Sequence, residues 1–121
     1  MSPTVHMIVG SITLILFLVS AVMYAIEMLR GKAIEYHRLV SFGAATALLL
    51  QYALGFMLLG AGNSIKWTHY VFALLAILPV GMEHGMAAKQ PNFRKRSMIG
   101  LIASVIALVL VFGAYYVAEA R

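Results

Sequence analysis

Cysteine is absent from this chain of 121 residues. That excludes disulfides, thiolate metal sites, iron–sulfur clusters and the C-x-x-C-H attachment of c-type haem. Charge is scarce as well. Asp, Glu, Lys and Arg make up 11% of the residues, where a soluble domain carries about 25%. With 63% of the chain hydrophobic, a protein of this size has no interior large enough to hide its apolar surface from water, and the composition reads as that of a membrane protein. Acidic residues are the scarcest charge: 4 against 9 Lys and Arg, for a net charge of +5. The basic residues fall in short connections between apolar runs, so they read as topology signals and contacts to anionic lipid head groups, not as a nucleic-acid surface. Also missing are a basic n-region ahead of the first apolar run and a small-residue cleavage site after it. That run is expected to be a retained span and not a signal peptide.

What the chain does have is long apolar runs, at about 4–29, 34–60, 65–88 and 95–118, each reaching the roughly 20 residues a helix needs to cross the hydrocarbon core. Backbone groups in lipid must be satisfied internally, so each run is expected to be helical. The connections are short: Arg30-Gly31-Lys32, Gly60-Ala61-Gly62-Asn63 and Lys89-Gln90-Pro91-Asn92. Short loops force antiparallel neighbours. The expected fold is all-α, a single-domain transmembrane four-helix bundle running up-down-up-down, with no linker, low-complexity tract or clear internal repeat.

The basic residues orient this bundle. Arg30, Lys32, Arg38, Lys89, Arg94, Lys95 and Arg96 gather at one face, and only Lys66 and Arg121 at the other. The first group is expected on the cytoplasmic side, which puts both termini on the non-cytoplasmic side. Trp67, Tyr70, Tyr115 and Tyr116 then fall at the outer interface, where amphipathic aromatics are favoured.

The 4 histidines are the chemically distinctive residues. His69 and His84 lie fifteen positions apart on the third run, within about 60° of each other on an ideal helix and roughly 22 Å apart along its axis. His6 is expected about three residues into the first span and His37 about four into the second. By depth the four form two pairs: His6 with His69 near the outer face, and His37 with His84 near the cytoplasmic face. Taken alone, a histidine near a helix end is more often an interfacial residue than a ligand. Four of them in two depth-matched pairs, none left over, point to bis-histidine ligation of two b haems. Small residues would make room for flat rings: Gly10 and Ala73 one turn past His6 and His69, Ser41 and Ala44 past His37, and Gly81 just before His84. Arg38 and the Arg94-Lys95-Arg96 cluster could hold the inner propionates, and Lys66 the outer ones.

Other features have blander readings. Glu83-His84, Glu35-x-His37 and Glu27 form a carboxylate–histidine set near the cytoplasmic face that could bind zinc or iron, orient imidazoles as hydrogen-bond acceptors or pair with Arg30, Lys32 and Arg38. Gln51, fourteen residues past His37, reads as an interhelical hydrogen bond or as a contact to a quinone or haem edge. Pro79 is expected to kink the third span. The 8 methionines are scattered apolar filler, not a copper motif. A chain of this kind could also be a non-catalytic small subunit packed in a larger membrane complex, or a homo-oligomer.

Taken together, His6, His37 and the segment from Ser64-Ile65-Lys66-Trp67-Thr68-His69 to Glu83-His84-Gly85 resemble the di-haem b-type cytochromes of bacterial membranes. That group includes the bacterial cytochrome b561 proteins and the cytochrome b subunits of hydrogenases and formate dehydrogenases. In it, two early helices carry one ligand each and a later helix carries two. Here the two-histidine span comes third, one place earlier than is usual for the group. The resemblance implies a multi-pass protein of a bacterial-type inner membrane, two haem b groups, and electron transfer linked to a quinone or a redox partner protein.

Overall fold

The computed structural model describes residues 3–62 and 65–119. Asn63, Ser64 and Arg121 lie outside the described residues. The described residues are helical apart from short connections, with four helices long and apolar enough to cross a membrane: Pro3–Arg30, His37–Gly60, Trp67–Ala87 and Phe93–Ala118. They are called the first to fourth helices below.

Local chemistry sets their ends. Pro3 opens the first helix, where its missing N–H removes nothing. Gly31 closes it at φ 76°, its N–H donating to the Glu27 carbonyl at 2.8 Å, a left-handed cap that glycine adopts without strain. Asn92 Oδ1 accepts the Lys95 N–H at 3.0 Å and so caps the fourth helix. The second helix begins at His37, later than the expected 34, so His37 is its first residue. The cause is Glu27: its Oε2 accepts the Ile34 N–H at 2.7 Å and holds the connecting segment in a non-helical path.

The third helix departs most from expectation. It is α-helical over Trp67–Leu75, breaks at Ala76, resumes over Ile77–Gly81, and passes through a π-helical turn at Met82–Ala87. Pro79 accounts for the break, because it has no N–H to offer the Leu75 carbonyl and its ring crowds that carbonyl. The expected kink at Pro79 therefore falls one turn ahead of it. The π turn holds an extra residue per turn and shifts the phase of everything beyond it, so ideal-helix angles between His69 and His84 do not apply.

Backbones pack most extensively between the third and fourth helices and between the first and fourth, then between the first and second. The buried centre is small, built from Phe17, Ala44, Leu48, Ala76, Val80 and Ala107. Around it the usual polarity is inverted. Large apolar side chains such as Ile15, Leu18 and Val109 are half or more exposed, whereas Thr13, Ser20, Glu27, Glu83, Ser97 and Ser104 are buried. An apolar exterior around a polar, small-residue interior suits a lipid solvent, where close packing and hydrogen bonds hold helices together.

Candidate functional site

The second and third helices are joined mainly by side chains. Tyr52 donates to the Ala73 carbonyl at 2.5 Å, in the turn before the Ala76 break, and Ser41 donates to Glu83 Oε2 at 2.5 Å. On either side of the small core lies a cavity, and each cavity is lined by two of the four histidines.

The first cavity encloses about 240 Å³ and is mostly apolar. His6 and His69 meet there, with ring centroids 6.3 Å apart and ring planes at 76°. His69 is held by its Nδ1–H, which donates to the Ala114 carbonyl on the fourth helix at 2.9 Å. That bond assigns the tautomer and leaves Nε2 with its lone pair. His6 packs against Gly55, where a Cβ would stand 3.4 Å from His6 Cε1 and 3.9 Å from Nε2. Gln51 and Tyr52 complete the second-helix wall. Lys66 is exposed, just before the third helix, and is not part of the lining.

The second cavity is larger, about 570 Å³, and more polar. His37 is nearly fully buried, with a protein partner on each nitrogen. Its Nδ1–H donates to Glu27 Oε1 at 2.6 Å, and its Nε2 accepts from the Ser20 hydroxyl at 3.1 Å. The Tyr24 ring stands edge-on to it at 4.0 Å. Across the cavity, Glu83 Oε2 accepts from both Tyr24 (2.6 Å) and Ser41. His84 lies 3.4 Å from Ser41 Oγ and packs against Phe42 at 5.0 Å. The π turn lets the adjacent residues Glu83 and His84 both line this space. Arg38 and Arg96 line it too, their guanidinium groups stacked on Phe42 and Phe93 at 5.4 and 5.3 Å. Among the described residues, no three His, Asp or Glu side chains are grouped to hold a metal ion between them.

Of the expected pairs, His6 and His69 meet ring to ring, whereas His37 and His84 share the lining of one cavity, each held by other partners. Of the small residues singled out, Gly10 receives the Gln51 amide, Ala73 accepts Tyr52, and Ser41 joins Glu83. Gly81 has open space around it. Missed were Gly55, Tyr24 and Ser20, whose roles rest on contacts between distant positions with no spacing signal in the chain. Comparison with protein-family models, curated proteins and solved structures finds no match to this chain.

Proposed function

We propose that this protein is a membrane-spanning b-type cytochrome that carries one haem at each end of the bundle. When bound, the haems supply one-electron redox chemistry at two depths of the membrane. The reading rests chiefly on the His6–His69 pair. Two imidazoles that shared one metal, each at a metal–nitrogen distance of about 2.0–2.1 Å, would have ring centroids roughly 6 Å apart. The observed 6.3 Å, with the rings nearly perpendicular, fits that separation. The anchoring of His69 to a carbonyl leaves its Nε2 as the electron-pair donor, as a ligand requires.

At the other end, His37 and His84 take the same roles. Glu27 holds the His37 Nδ1–H and so keeps Nε2 as the acceptor, with the small Ser20 hydroxyl as the partner it would exchange for iron. Arg38 and Arg96, fixed on their aromatic platforms, stand ready to pair with propionates, and Lys66 offers the equivalent charge at the first end. Tyr52, Gly55 and mostly apolar side chains line the first cavity, a surface suited to a flat apolar ring. The excess of basic residues in the Arg30–Lys32 and Lys89–Arg96 connections favours an orientation with the second cavity on the cytoplasmic side and both termini outside. The protein would then pass electrons between an outer donor and a quinone or acceptor on the opposite side, in a bacterial-type inner membrane.

A pyridine haemochrome assay on protein purified in detergent tests this directly. Two b haems per chain are expected; colourless protein that takes up no added haem would refute it.

A further inference from the structure

Two buried polar atoms beside the first cavity have no hydrogen-bond partner among the described residues: His6 Nδ1 and Gln51 Oε1. One can donate, as N–H, and the other can only accept. They sit on adjacent helices and line the same cavity. The fold has made room for the amide. A Cβ at Gly10 would stand 2.8 Å from Gln51 Nε2, so a larger residue there would push the amide out of its notch. At Gly55 a Cβ would come only into ordinary contact with the His6 ring, at 3.4 Å from Cε1. An amide oxygen left open in an apolar interior is costly, and among the described residues the one open donor on the same cavity wall is its chemical complement.

The opposite ligand supplies the contrast. His69 donates its Nδ1–H to the Ala114 carbonyl. A ligating histidine almost always gives its second N–H to such an acceptor, which fixes the ring and raises its basicity. Among the described residues no carbonyl accepts from His6 Nδ1, and Gln51 is the side chain of the same cavity wall with an open acceptor. We propose that Gln51 is the positioning residue for His6. Its Oε1 accepts the Nδ1–H, selects the tautomer and aims the Nε2 lone pair into the space that Gly55 leaves open. The assignment rests on reading His6 as an axial ligand of the first-cavity haem.

The test uses the full-length chain in detergent, with Gln51→Leu removing the acceptor and Gln51→Glu keeping it with added charge. Haem is titrated into the apo protein, and the loaded protein is followed by redox titration and electron paramagnetic resonance. Gln51→Leu is expected to weaken binding at the first site about 10- to 100-fold and to raise the midpoint potential of what remains bound. Gln51→Glu is expected to retain binding and lower that potential. Gln51→Leu indistinguishable from the parent, or both variants impaired alike with no opposed shift in potential, would overturn the role of Gln51. If Gln51→Leu does not fold, the potential and spectrum of Gln51→Glu decide, and parent-like values overturn the role. A parent protein that takes up no haem would overturn the cytochrome reading itself, so the two failures are distinguishable.

Discussion

Gly100 on the fourth helix should be intolerant of even a methyl group. A Cβ there would lie 2.3 Å from both Cε1 and Cζ of Tyr24. The ring has little freedom to retreat. Its hydroxyl donates to Glu83 at 2.6 Å and its edge packs on His37 with centroids 4.0 Å apart. Overpacking of this kind costs about 1–3 kcal/mol, and losing a hydrogen bond to a charged acceptor adds about 1.5–3 kcal/mol. Alanine returns about 1 kcal/mol in helix propensity over glycine. Gly100→Ala should therefore destabilise the bundle by about 1.5–5 kcal/mol. Reversible unfolding in mixed micelles, followed by circular dichroism or by the fluorescence of the single tryptophan, Trp67, measures it. Tyr24→Ala removes the obstacle, so in that background Gly100→Ala should become neutral or stabilising by up to about 1 kcal/mol. A cost under about 1 kcal/mol in the parent, or an undiminished cost in the Tyr24→Ala background, would refute the argument.

Other outcomes follow from the same geometry. His69→Ala should remove about half of the bound haem while the second-cavity spectrum persists; haem content equal to the parent's would refute its role as ligand. Glu27→Leu strips the acceptor from both His37 Nδ1–H and Ile34 N–H and should cost about 2–6 kcal/mol, with Glu27→Gln losing less; equal stability of all three proteins in the same micelle assay would refute this. Because the chain has no cysteine, Lys32→Cys and Lys66→Cys are clean topology probes. An impermeant maleimide added to intact cells should label position 66 and spare position 32, and the reverse pattern would invert the proposed orientation.

The four helices were legible because each is an apolar run long enough to cross a membrane, and the grouping of histidines was legible because antiparallel neighbours return matched depths to the same end. The start of the second helix was not legible. It depends on Glu27 reaching seven residues forward to Ile34, a contact that apolar patterning does not encode. Pro79 announced a disturbance, but its site at Ala76 and the π turn that follows depend on how neighbouring helices pack. Gly55 and Gly100 matter only because His6 and Tyr24 cross them from other helices. Tyr24 and Glu83 are 59 positions apart and meet only once the bundle has closed.

The interruptions of the third helix also bear on how the two ends could change independently. A continuous α-helix would couple them rigidly, since a rotation that improved the setting of His69 would turn His84 by the same angle. The break at Ala76 and the looser turn at Met82–Ala87 divide the helix into an upper part facing the first cavity and a lower part facing the second. The small buried layer between them, with Ala76 and Val80 at its centre, acts as a bearing more than a shaft. Substitutions around one cavity can therefore reset the angle of its own histidine and leave the far histidine in place, which makes the two halves of this short protein separately adjustable modules.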